Sequence, residues 1–230
     1  IYVSLTGCVV HPKAVSLPES SLLERDQLVI HSDFHLPKKH RLIGELTARR
    51  RDICSQLMIP VSDEPINVFL FKKEEDYRQF MQQQHPQFPQ RRAFFVKNDT
   101  TLKVYAFWGA RVGEDLRHEV AHGYLHSVIP NLPLWLDEGL AEYYETPRGC
   151  HGMNVEHVYL LIEAFCREEW QPDLAALEQL VDPASMTQLQ YAESWLWIHF
   201  LLESSHGEAR LLKDQLARLR MAAESDPLII

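Results

Sequence analysis

The chain has 230 residues, of which 46% are apolar and 24% charged; it can bury one sizeable core without a disulfide scaffold and is too apolar to be disordered or fibrous. Its net charge of -9 at pH 7 speaks against nucleic acid as a partner, because phosphate binding needs a basic surface. No segment approaches the ~20 apolar residues of a membrane helix.

The sequence starts without methionine at Ile1-Tyr2-Val3-Ser4, which points to a segment upstream. Leu5-Thr6-Gly7-Cys8 resembles a bacterial lipobox. That resemblance makes Cys8 a lipid anchor and puts the protein in the cell envelope or otherwise outside the cytoplasm. The other reading is a first strand that contains a cysteine, with a cytoplasmic protein; both stay open. Cys54, Cys150 and Cys166 fit no C-x-x-C motif and read as buried thiols, although export would allow Cys150 and Cys166 to pair. Arg49-Arg50-Arg51 and Arg91-Arg92 read as a solvated helix face or a turn.

Residues 1–27 read as a lead-in, loose from residue 11 onward, where Pro12, Pro18 and several serines fall. Leu28 to Phe34 is β-branched and reads as a strand, closed by Pro37. Residues 38–58 carry Leu42, Leu46, Ile53 and Leu57 at helical spacing, and Pro60 stops that helix. Pro65 to Phe71 reads as a buried strand and residues 73–84 as a polar helix broken by His85-Pro86. Ala93–Val96 and Leu102–Phe107 flank Lys97-Asn98-Asp99-Thr100 as a hairpin. Beyond Gly113 the pattern is helical, over about 114–128, 133–145, 154–169, 173–181, 187–204 and 207–223. Strands first and helices afterwards predict an α+β fold. One domain over 28–225 results, with a mixed-sheet lobe over 28–112, a helical lobe over 113–225 and the site between them.

The chemistry concentrates in His118-Glu119-Val120-Ala121-His122. Histidines four apart on a helix share a face one turn from each other and can hold one metal ion. This is the H-E-x-x-H arrangement of zinc hydrolases, in which the glutamate takes a proton from metal-bound water. In a chain with 12 histidines the pattern arises by chance on the order of several per cent of the time, so a third ligand is required before it means anything. His126 fails, because in an unbroken helix it lies about 12 Å along the axis from His118, too far for one ion; it reads as a residue that supports the site from behind or packs. Glu138 is the better donor, on a helix that starts beside Pro133 after a short connection. Glu142, four residues on, shares its face and is placed to accept from a ligand histidine's other nitrogen.

Leu136-Asp137-Glu138-Gly139-Leu140-Ala141-Glu142 resembles the second motif of the gluzincin metallopeptidases, in which a Glu in W-L-x-E-G-x-A completes the site. The fifteen residues between His122 and Glu138 are fewer than the aminopeptidases of that clan carry, and their G-x-M-x-N motif is absent. The resemblance covers mainly residues 90–205, and the arrangement as a whole looks like that of bacterial gluzincin-like peptidases. It implies a zincin-like fold, one Zn2+ held by His118, His122 and Glu138, Glu119 as general base, and a peptide or protein substrate cut at the amide. It also implies an oxyanion role for Tyr191, which could equally be a tyrosine packing at a helix start, and a substrate-binding edge strand at Leu102–Phe107. The rival reading is a catalytically silent zinc-binding module that serves partner binding or envelope structure.

Overall fold

The computed structural model describes residues 15–205 and 207–225. Cys8 and the lipobox-like stretch lie outside the described residues. In chain order the elements are β1 (Ser21–Arg25), β2 (Leu28–Ser32), α1 (Arg41–Leu57), β3 (Ile66–Phe71), α2 (Glu74–Gln84), β4 (Ala93–Asn98) and β5 (Thr101–Phe107). There follow α3 (Val112–His126), α4 (Leu134–Glu145), α5 (Val155–Cys166), the single turn α6 (Leu174–Leu177), α7 (Gln188–Glu203) and α8 (Ala209–Ser225). The fold is thus α+β, with a five-stranded mixed sheet and eight helices among the described residues.

The strands lie in the order β1-β2-β3-β5-β4. The three inner strands run parallel, and β1 and β4 close the two edges antiparallel to their neighbours. Two expectations change here. Residues 21–25, expected to belong to a lead-in, form an edge strand, because Asp26 turns the chain at φ 50° and aspartate is one of the few residues that tolerate that region. Leu102–Phe107 is an inner strand, since the β4–β5 hairpin folds β5 in against β3 and leaves β4 at the rim.

Alternation along the strands sends side chains to two cores. Ile66, Val68 and Leu70 face α1 and α3, together with Leu102, Val104 and Ala106 of β5. Phe69, Phe71 and Tyr105 face α2, where they meet Tyr77, Phe80 and Met81. Gly123, directly after His122, lets α3 settle on the first of these cores: a Cβ there would come within 2.9 Å of Ile66 Cδ1. Gly139, directly after Glu138, does the same between α4 and α7, where a Cβ would stand 2.5 Å from the Ser194 carbonyl oxygen. Both glycines fix the depth at which the neighbouring site residue sits.

The arginine run is less solvated than its composition suggests. Arg49 is buried and donates to the Thr146 carbonyl, which ties α1 to the end of α4, and Arg50 reaches Ser62 and Asp63. Cys150 and Cys166 are exposed and Cys54 is half-buried; all three are free thiols, so none is a buried thiol of the expected kind and the suggested pair does not form. No described helix is long and apolar enough to cross a membrane.

Candidate metal centre

Helix α3 runs along the inner face of the sheet beside β4 and β5, and α4 crosses it after the turn at Pro130 and Pro133. His118 and His122 project from one face of α3, as their spacing requires. Glu138 enters from α4, one residue past its first turn. His118 Nε2 and His122 Nε2 lie 3.2 Å apart, and Glu138 Oε2 lies 3.4 Å from the first and 3.6 Å from the second. Three ligand atoms around a tetrahedral zinc, each about 2.0–2.2 Å from it, stand about 3.3–3.6 Å from one another. The triangle is the right size.

The protonation pattern agrees with it. His118 Nδ1 is 3.2 Å from Glu145 Oε2, and His122 Nδ1 is 2.8 Å from Asp137 Oδ1. A carboxylate at Nδ1 fixes the tautomer that leaves Nε2 as a lone pair. Two lone pairs and a carboxylate oxygen then converge on one point. Glu138 Oε2 is buried and accepts no well-formed hydrogen bond, an arrangement that costs free energy unless positive charge stands close to it, on a metal or on the imidazoles. The donor set therefore fits a divalent metal, and two nitrogens with one oxygen is a set that zinc accepts.

Without a metal, protons do the same work. Burial disfavours charge on both rings, yet Glu138 and Glu145 outweigh it and hold His118 well above the usual imidazole range. His122 is likewise penalised by burial and carried up to about 10, chiefly by Asp137 and then Glu138. Burial opposes ionisation of Glu138, but the two imidazoles hold its carboxyl down at about 2. Asp137 sits below the ordinary carboxylate range against its own burial, because it serves two histidines: its Oδ2 is 2.7 Å from His126 Nε2.

The structure places the remaining residues as follows. Glu119 is not one of the three converging donors, and it lines a cleft of about 650 Å³ together with His118. Burial pushes its carboxyl up, while the two histidines and the Phe95 backbone pull the other way. His126 packs beneath Phe95, ring centroids 5.3 Å apart, stands beside the His122 ring at 6.4 Å, and is linked to it by hydrogen bonding to Asp137. Tyr191 lies in the first turn of α7, whose start is set by a reciprocal cap between Thr187 and Gln190. Its phenol borders the same cleft and accepts from Arg91 Nη2 at 2.9 Å.

Glu142 departs from expectation. Its Oε2 is 2.8 Å from His157 Nε2, and the hydrogen bonds at the two Nδ1 atoms are made by Asp137 and Glu145. The reason is angular. At 100° per residue, Glu142 is turned about 40° from Glu138, whereas Glu145, seven residues on, returns to within about 20°. Asp137 and Glu145 were therefore legible as positions on the helix but not as partners. Arg91 and His157 had no signal at all, because only the meeting of separate segments brings them to the cleft. No known protein family matches the chain, and no curated protein sequence matches it.

Proposed function

We propose that the protein is a zinc-dependent metallopeptidase of gluzincin type, with one Zn2+ held by His118, His122 and Glu138. The observation that carries the proposal is the 3.2–3.6 Å triangle of Nε2, Nε2 and Oε2 around a buried acceptor without a donor. Glu119 beside it, free of that triangle and facing the cleft, supports catalysis over a purely structural site. A five-stranded mixed sheet with an antiparallel edge strand next to the H-E-x-x-H helix also supports the zincin-like architecture.

Zinc, once bound, supplies a Lewis acid for the scissile carbonyl and makes water a nucleophile at neutral pH. The chain's own residues do the rest. Glu119, with its carboxyl raised by burial, is poised to take the proton of the attacking water and pass it to the leaving nitrogen. Tyr191 donates to the developing oxyanion; Arg91, by donating to the phenol oxygen, leaves the phenol proton free for that purpose. Asp137 and Glu145 hold the two imidazoles in the tautomer the site needs. The substrate backbone lies along the free edge of β4, the strand that carries Phe95 over His122.

The test combines metal analysis with cleavage of a mixed peptide library. The parent purifies with one zinc per chain and cleaves; Glu119→Gln retains the zinc and loses at least about 100-fold in turnover. A Glu119→Gln protein that cleaves like the parent would overturn the assignment. Zinc bound stoichiometrically by a parent that cuts nothing would leave the silent module.

A further inference from the structure

Most of the charges that line the cleft cancel in pairs. Arg92 Nη2 lies 2.7 Å from Asp115 Oδ1 and 3.2 Å from Glu114 Oε1. Arg111 is held by Glu114, and Arg78 by Glu74. On the facing wall His157 engages Glu142, and Asn154 and His118 engage Glu145.

Among the four arginines that line the cleft, Arg91 is the exception. It has no ion pair among the described residues. One Nη2 hydrogen goes to the Tyr191 oxygen at 2.9 Å, and the guanidinium carbon stands 5.6 Å from the centre of the tyrosine ring. The group borders the cleft with His118 and Glu119. Burial works against its charge, but Tyr191, Glu138 and Glu119 more than compensate. A guanidinium has five N–H donors in a planar fork that matches a carboxylate. Stacked on an aromatic ring, it is already ordered for that geometry. Its chain position is also telling: the loop that carries it runs straight into β4, so the fork stands at the start of the edge strand.

We infer that Arg91 is a specificity-determining residue of the proposed peptidase and binds a carboxylate of the polypeptide substrate beside the bond to be cut. That carboxylate comes either from an Asp or Glu side chain or from the substrate's own C-terminus. The second source would make the enzyme act at chain ends, and the first would let it cut within chains. The inference rests on the peptidase reading, but it can be tested separately from turnover.

The probe is a set of otherwise identical fluorescent heptapeptides that bear one Asp, one Asn or neither, each with a C-terminal acid or amide. The zinc-loaded parent should favour either the Asp peptide over its Asn counterpart or the acid over the amide, by roughly 10- to 100-fold in kcat/KM. Arg91→Gln should abolish that ratio whatever it does to absolute rates, and Arg91→Lys should restore it in part. Tyr191→Phe, which keeps the guanidinium, should slow all peptides and preserve the ratio. Binding of the same peptides to zinc-loaded Glu119→Gln protein, read by anisotropy, reports on Arg91 without any cleavage. Selective binding lost in a Glu119→Gln/Arg91→Gln protein supports the inference even if nothing is cut, in which case only the peptidase reading falls. Equal handling of carboxylate and amide peptides by the parent, or a ratio that survives Arg91→Gln, overturns it.

Discussion

Beneath α2 the sheet buries rings: Phe69, Phe71 and Tyr105 from the strands meet Tyr77, Phe80 and Met81. On the opposite face, where α3 is crossed by α4, the protein buries His122 and Glu138 and half-buries His118, Glu119 and Asp137. The first region needs only close packing. The second removes ionisable groups from water, which costs several kcal/mol per ion unless partners return it, and it still leaves Glu138 Oε2 without a donor. The sheet is thus a support with one face for stability and the other for charge. Damage to the two faces should therefore be read by different measurements.

The largest effect is expected on the packed face. Phe80→Ala, at a side chain 5% exposed, should cost about 3–5 kcal/mol of stability, measured by urea unfolding, while the folded fraction still binds the proposed zinc. Loss of metal from folded Phe80→Ala protein would break the division between the faces.

On the charged face the expected loss is in metal affinity. Asp137→Asn and Glu145→Gln should each weaken binding of the proposed zinc by about 10- to 100-fold, because each leaves one of the two candidate ligand imidazoles without its acceptor. Glu142→Gln should change it by less than about 3-fold, since that carboxylate serves His157. Competition with a chromogenic chelator ranks the three; an equal or larger loss for Glu142→Gln would restore the sequence-based assignment.

The smallest signal is a proton count. In the metal-free protein His118 is held well above its usual range and His122 at about 10. Stability from the raised His122 is fully present below pH 6.5, its unfolded value, and is lost as pH rises through about 10. Zinc requires both rings neutral, so its binding should release about two protons near neutral pH and tighten as pH rises through that window. Titration calorimetry in buffers of different ionisation enthalpy reads the number, and heats that do not depend on the buffer would contradict the raised imidazoles.

Much of this arrangement was legible along the chain. The helical spacing of His118 and His122 and the exclusion of His126 by axial rise follow from local periodicity, a property of neighbours in sequence, and Glu138 was suggested by the short proline-bounded connection to the next helix. The helices α1 and α3 to α5 fall close to their predicted spans, and the cap at Thr187 and Gln190 sets the start of α7. Local signals did less well where a residue's partner lies on another element. The strand at 21–25 is polar and short and becomes a strand only by pairing with β2.

The chain alone carries the candidate donors and the helices that hold them, because a helix converts spacing into direction. Only the tertiary structure decided that Glu145 and Asp137 rather than Glu142 hold the histidines, that β4 rather than β5 is the free edge, and that Arg91 meets Tyr191 across the cleft. Each of those depends on the crossing of α3 and α4, the order of strands or the meeting of segments a hundred residues apart. Side-chain direction within one helix is set by backbone geometry, but which neighbour stands in that direction is set by packing of the whole chain.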